Sequence, residues 1–255
     1  MKVTYIDHMG SDLSVVNAAR VSFAKKSKGL ECTDIVVGKY ELRPEDKSLI
    51  QFLARGCTSK EWAEVKDTIG YKWTKETCRG NKNVEELLRY IKNMPTHWTP
   101  FGHTAITLHI KAPIFVARQL GKHQVGMVWN EVSRRYVDDE PEFYVPDVWR
   151  GRSVDKKQGS DGVALTYVQD WDTYNLSLKI YSELLGDGVC PEQARMVLPQ
   201  SMYTEWYWTG NLYSFANVFI QRTDAHAQKE TQEVARQIGE IIEPLFPESW
   251  KALTQ

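Results

Sequence analysis

The stretch Ala117-Arg118-Gln119-Leu120-Gly121-Lys122-His123-Gln124, followed by Asn130-Glu131-Val132-Ser133-Arg134-Arg135-Tyr136, crowds cations, a histidine, amides, a carboxylate and a hydroxyl together. Guanidinium forks and side-chain amides match planar, oxygen-rich groups such as phosphates and the edges of heterocycles. The chemistry open to this stretch is therefore the holding of a polar ligand. It follows the apolar run Ala112 to Ala117, which puts it at the mouth of a core element. Taken alone, the same run also reads as a solvated helix end with surface ion pairs.

Three further groups bear on that choice. His97-Trp98-Thr99-Pro100-Phe101-Gly102-His103 sets two histidines and a threonine around a Pro-Phe turn. Ala194-Arg195-Met196-Val197-Leu198-Pro199 places one cation among apolar neighbours, where it needs an anionic or carbonyl partner. Asn211, Asn217, Arg222, His226 and Gln228 follow an aromatic run. The chain has no G-x-S-x-G elbow, Walker A loop, GxGxxG after a strand or H-E-x-x-H. Its four cysteines, Cys32, Cys57, Cys78 and Cys190, show no zinc-ligand spacing, so no metal site is expected. Cys190 lies among Gly186, Asp187, Gly188 and Glu192, the setting of an inert turn cysteine rather than a nucleophile. Fixed cations and amides without a hydrolytic set suit cofactor-borne chemistry.

Helices must carry most of these groups. Lys2 to Ile6 reads as a short strand. Ser11 or Asp12 then caps a helix through Phe23 that faces inward with Leu13, Val16 and Ala19 or Arg20. Pro44 opens a second helix buried through Leu49, Ile50 and Leu53. Residues 56 to 82 read as an insertion, and Asn83 caps a helix from Val84 to Asn93. Thr104 to Ile110 alternates as a strand, and Pro113 starts the helix leading into the key stretch. Val145 to Gly162 has the composition of a surface loop or linker. The spacing of Ala164, Val168, Trp171, Tyr174, Leu178, Tyr181 and Leu185 gives a long amphipathic helix ended by Gly186 and Gly188. A short helix follows Pro191, Met202 to Trp208 reads as a strand, and Asn211 opens another helix. A last helix, about Ala227 to Leu245, buries Val234, Ile238, Ile241 and Ile242 and is closed by Pro244 and Pro247. The class is α+β, predominantly helical with a small mixed or antiparallel sheet, as a single domain over residues 1–255.

A net charge of −1 gives no general attraction to nucleic acid or membrane. A nucleic-acid module built on Arg134, Arg135, Arg150 and Arg152 is disfavoured for the same reason. With no signal-peptide core and no apolar run of membrane-spanning length, the expected location is the cytoplasm.

The run Ala112-Pro113-Ile114-Phe115-Val116-Ala117-Arg118-Gln119 and the run Asn130 to Tyr136 resemble the flavin-dependent thymidylate synthases, the ThyX family. So do Asn17-Ala18-Ala19-Arg20-Val21-Ser22-Phe23, His97 to Phe101, Ala194 to Pro199, and Asn211 through Arg222 to Gln228, all in family order. The resemblance implies methylation of dUMP to dTMP, with methylenetetrahydrofolate as carbon donor and FAD, reduced by NADPH, as hydride carrier. It also implies a homotetramer whose active sites are shared between subunits. Gln119, Glu131, Ser133, Arg134, Arg135, Arg195 and Arg222 match dUMP contacts, with Arg222 as the catalytic activator. His97, Thr99, Lys122, His123, Gln124, Asn211 and Asn217 match FAD contacts. Lys122-His123-Gln124 stands where the family has Arg-His-Arg, and one extra residue precedes Asn130, which Gly126 can absorb as a bulge. That variant motif also suits an alternative, a catalytically altered flavin- or nucleotide-binding protein with the same fold.

Overall fold

The computed structural model describes residues 1–35, 37–56, 96–137, 139–153, 159–164 and 170–254. In chain order its elements are β1 (Lys2–Met9), α1 (Asp12–Arg20), β2 (Leu30–Asp34), β3 (Lys39–Leu42), α2 (Pro44–Arg55), β4 (Ala105–Pro113), α3 (Ile114–Leu120) and β5 (Met127–Glu131). After these come β6 (Arg150–Arg152), β7 (Ser160–Val163), α4 (Asp170–Gly186), α5 (Pro191–Ala194), β8 (Tyr203–Gly210), α6 (Leu212–Thr223), α7 (Lys229–Ile242) and α8 (Pro247–Thr254). Short 3-10 turns cover Val21–Phe23, Thr99–His103 and Arg195–Val197. The expected insertion at 56–82, beyond Gly56, and the helix from Val84 to Asn93 lie outside the described residues. Among the described residues no helix is long and apolar enough to cross a membrane.

Contacts sort the chain into two compact units interleaved in sequence. The first takes Met1–Asp7, Ile106–Gly210 and Asn217–Ile241; the second takes His8–Ala105, Asn211–Ala216 and Ile242–Gln255. The first unit is organised by a four-stranded sheet in the order β1-β4-β8-β5. Strand β4 buries Ile106, Leu108, Ile110 and Ala112, as its alternation predicts. It pairs antiparallel with β8 from Ile106↔Gly210 to Pro113↔Tyr203, and β8 buries Thr204, Trp206 and Trp208.

Strand β5 pairs antiparallel with the other side of β8 from Met127↔Gly210 to Glu131↔Trp206 without interruption. The ladder carries no bulge, so Gly126 lies in the turn ahead of β5 and not in a bulge. Gly126 there has φ +71, a left-handed conformation in which a side chain is strained. A Cβ at Gly210 would meet the Met127 thioether and lie 3.3 Å from the Gly126 carbonyl, so a glycine at 210 leaves room for the Met127 side chain against β8.

Val145 to Gly162 is not only loop: β6 and β7 form an antiparallel hairpin, since Arg150, Gly151 and Arg152 pair with Val163, Asp161 and Ser160. The last helix stops at Ile242, with Ile241 half-exposed. Pro247 opens α8 rather than closing a helix, because its missing N–H costs nothing at the first helical position. In the second unit α1 buries Val15 and Val16, while Leu13, Ala19 and Arg20 are only partly covered; α2 buries Ile50 and Leu53 but leaves Leu49 half-exposed. The inward face of α1 also carries Asp12. Its carboxylate accepts the backbone N–H of Glu248 at 2.8 Å and of Ser249 at 2.9 Å, satisfying the open donors at the start of α8.

Candidate active site

The first unit contains a cavity of about 1080 Å³. Its wall is built by the end of α3 and the turn after it, by β5, by the β6–β7 hairpin, and by Arg222 and residues 226–228. On α3 the apolar side chains Val116, Ala117 and Leu120 are buried, so the helical repeat turns Arg118 outward and Gln119 to the half-exposed edge. Gln119 is fixed at both ends of its amide. Its Nε2 donates to Gln228 Oε1 at 2.6 Å, and its Oε1 accepts Thr231 Oγ1 at 3.1 Å.

Arg222, in the last turn of α6, donates from Nε to His123 Nε2 at 2.9 Å and from Nη2 to the Gln119 carbonyl at 2.9 Å. Both acceptors are uncharged when His123 is neutral. Among the described residues no carboxylate pairs with this guanidinium, so its charge remains available to a ligand. Burial pushes its pKa down from the ordinary arginine value. Glu131, on the edge strand β5, accepts Thr204 Oγ1 at 2.7 Å and Trp129 Nε1 at 3.1 Å. Trp129 in turn stacks on Trp206 with ring centroids 4.3 Å apart. The cavity thus shows Arg118, Lys122, Arg150 and Arg222 against one carboxylate, Glu131, with the rings of Trp129 and Trp208 in its wall. Such a lining favours an anion that carries a planar group.

His123 receives the Arg222 N–H on Nε2, so its own proton sits on Nδ1. Burial first, and the neighbouring Arg222 charge second, hold its pKa below the ordinary 6.5. The folded value is lower than the unfolded one, so the unfolded chain takes up the proton first as pH falls. The stabilisation is complete above the unfolded value and is lost as pH drops through the lowered folded value. The expected result is an imidazole titration midpoint below 6.5 by NMR, moving up when Arg222 is replaced by glutamine. A midpoint at or above 6.5 in the unsubstituted protein would contradict the Arg222–His123 contact.

Of the residues expected from sequence, Gln119, Lys122, His123, Gln124, Glu131 and Arg222 line the cavity together, as does His226. His226 Nδ1 lies 2.8 Å from Asp224 Oδ1. Ser133, Arg134 and Arg135 belong to the same unit but do not line the cavity. Ser133 Oγ accepts Arg135 Nε at 3.2 Å, and Arg134 donates to the Asp139 carbonyl. Asn217 is half-buried and also off the cavity. Arg195 is not in an apolar setting: the 3-10 turn carries it to the surface, and its Nε donates to the Glu192 carbonyl at 3.3 Å. His97, Thr99 and Asn211 belong to the second unit. There His97 stacks on Phe52, Thr99 is exposed, and Asn211 Oδ1 accepts Ser214 N and Oγ at 2.9 and 3.0 Å as a helix cap. Cys190 is exposed at the residue preceding α5, also off the cavity.

Trp129 and Ser160 in the wall and the polar anchors Thr204, Glu230 and Thr231 belong to no motif of the sequence, and Arg150 stands there only among the arginines of the disfavoured nucleic-acid module. Arg150 carried no local signal, because its partner Glu230 is 80 residues away.

Fold and cavity together define an α+β protein built to hold a planar, anionic ligand of nucleotide type. The comparisons with known proteins narrow this. The family model described as Thy1, thymidylate synthase complementing protein, matches residues 36–248. A flavin-dependent thymidylate synthase of Thermosipho africanus is 34% identical over 255 residues, covering 97% of this chain and 88% of that protein. The Thermus thermophilus protein of the same description is 31% identical over 260 residues, covering 99% and 75%. Among solved structures, the UMP/dUMP methylase PolB from Streptomyces cacaoi, bound with 5-Br dUMP, aligns with a TM-score of 0.67 and 25% identity over 99% of this chain and 94% of its own. The chain belongs to the flavin-dependent thymidylate synthase family, and its cofactor is a flavin. The donor set fits that group: guanidinium, ammonium and amide donors for a diphosphate, and indole faces for a ring system.

Proposed function

We propose that this chain catalyses the reductive methylation of dUMP to dTMP, taking carbon from methylenetetrahydrofolate and using FAD reduced by NADPH. The observation that carries the reading is Arg222: a half-buried guanidinium, held by two neutral acceptors, in a cavity rich in cations. When bound, the flavin supplies the hydride that completes the new methyl group. The chain's own residues do the rest. Arg222 stabilises negative charge developing on the uracil ring, which makes the far carbon nucleophilic. The Gln119 carbonyl and His123 hold the guanidinium in orientation, and Gln228 and Thr231 hold Gln119. Lys122, Gln124 and Arg118 would hold the flavin's diphosphate.

Ser133, Arg134, Arg135 and Arg195 stand outside their own chain's cavity. We assign them to a neighbouring subunit's dUMP, within a homotetramer working in the cytoplasm; the family resemblance gives His97, Thr99, Asn211 and Asn217 as flavin contacts. The test is release of tritium from position 5 of labelled dUMP with folate and NADPH present. A protein that binds flavin yet releases no tritium would instead be an altered binding protein.

Lys122 and Gln124 both face the cavity from exposed positions. Compared with the Arg-His-Arg of the resembled family, they offer one positive charge fewer and no bidentate fork. We expect FAD to be lost readily during purification and Gln124→Arg to tighten it about tenfold, the effect of one charge-assisted hydrogen bond. Fluorescence titration of apo protein with FAD at two salt concentrations measures this. Unchanged affinity and unchanged salt dependence would remove Gln124 from the flavin site.

A further inference from the structure

We propose that Arg150 and Ser160, carried on the β6–β7 hairpin, form a phosphate-binding subsite of the main cavity. The inference rests on the nucleotide and flavin reading above and adds residues that the sequence resemblance does not supply. Both side chains line the cavity, and both are held in place. Arg150 Nη2 donates to the two oxygens of Glu230 at 2.6 and 2.8 Å, and its Nε donates to Ser160 Oγ at 2.7 Å. Glu230 is only 4% exposed. Burial raises its pKa, but the hydrogen bonds led by Arg150 outweigh that and leave it below the ordinary glutamate value, so the anchor is ionised.

That arrangement engages Nε and Nη2 and leaves the two N–H groups of Nη1 with no partner among the described residues. Ser160 Oγ accepts from Arg150, so its own hydroxyl proton is likewise available. The open Nη1 end of a guanidinium beside a hydroxyl donor is a pairing that a phosphate oxygen accepts. The strand register shifts between Arg150 and Gly151. A shift of this kind re-aims one side chain relative to its neighbours, and it separates Arg150 from Arg152, which is exposed and does not line the cavity. Nor is the pair a surface ion pair of no consequence: a buried carboxylate is costly unless a partner is fixed to it, so Glu230 pins a hairpin whose composition alone would make it a loose loop.

The phosphate has two sources, the monophosphate of dUMP or the diphosphate of FAD, and the experiment separates them. Arg150→Lys keeps a cation for Glu230 but removes the fork, while Ser160→Ala leaves the ion pair intact; Arg152→Gln serves as the charge control. Each variant is assayed for FAD binding by fluorescence titration, for KM of dUMP in the tritium-release assay, and for thermal midpoint. A roughly tenfold weaker FAD affinity with unchanged KM assigns the subsite to the cofactor's diphosphate. A roughly tenfold higher KM with unchanged FAD affinity assigns it to the nucleotide. If wild type binds both ligands and neither constant moves more than about twofold in Ser160→Ala and in folded Arg150→Lys, the subsite is overturned and the functional reading stands. An equal effect from Arg152→Gln also overturns it, since a diffuse charge field would then explain the change. Failure of wild type to bind either ligand removes both.

Discussion

Arg222→Ala is expected to lose turnover by about a hundredfold or more, on the order of 3 kcal/mol of transition-state stabilisation. The size follows from the environment of the guanidinium. A charge already neutralised by a carboxylate has little left to offer a developing anion, whereas Arg222 faces a neutral imidazole and a carbonyl. Arg222→Lys should remain poor, because an ammonium cannot keep contact with His123, the Gln119 carbonyl and a ligand acceptor in the geometry of a planar fork. The loss should fall on kcat at saturating dUMP, since the interaction strengthens as charge builds on the ring. Thermal midpoints should stay close to wild type, because Arg222 is only half-buried and lacks a buried counter-charge that would be orphaned. Near-normal turnover of Arg222→Ala at saturating dUMP would take this residue out of the mechanism. Cys190→Ser makes a contrast, since an exposed thiol away from the cavity should be replaceable without effect.

What could be read from the chain, and what could not, follows the range of the interactions. β4 and α3 were legible because an alternating run and a proline at the junction act within a few residues. β5 was not, because it is an edge strand: Val128 is 66% exposed and its covered face in Met127 to Glu131 holds only two apolar side chains, Met127 and Trp129, too short an alternation to stand out. The same edge carries Glu131, so its motif was visible while its element was not. The β6–β7 hairpin was hidden by glycine, lysine and aspartate, and its anchor lies 80 residues away in α7. Gln119 was singled out, but the partners that fix it, Gln228 and Thr231, are 109 and 112 residues on. Arg195 was misjudged because apolar neighbours in sequence do not bury a cation that a 3-10 turn directs outward.

The motif Asn17 to Phe23 contributed to the resemblance, yet its polar members build scaffold rather than the cavity wall. Arg20 donates from Nε and Nη2 to Asp46 Oδ1 at 2.9 and 2.5 Å, and Ser27 Oγ donates to Asp46 Oδ2 at 2.5 Å. Ser27 N in turn donates to Asn17 Oδ1 at 2.8 Å. This network ties the segment after α1 to the first turn of α2, where a carboxylate also suits the helix dipole. The Asp46 side chain is 1% exposed and that of Arg20 is 24% exposed. Removing Asp46 therefore orphans a partly covered guanidinium together with a hydroxyl. Buried pairs broken on one side cost roughly 3–5 kcal/mol; the partial exposure of Arg20 places Asp46→Ala at the lower end, about 3 kcal/mol. Asp46→Asn keeps one acceptor but loses the charge, and about half that loss is expected. Arg20→Ala combined with Asp46→Ala should cost clearly less than the two single losses added, because each single variant already breaks the same contact. Urea unfolding of the four proteins, followed by fluorescence and by circular dichroism, gives these values. Strict additivity would mean that Arg20 and Asp46 stabilise the fold through separate partners, and the scaffold role of the Asn17 to Phe23 motif would then rest on the contact of Asn17 with Ser27.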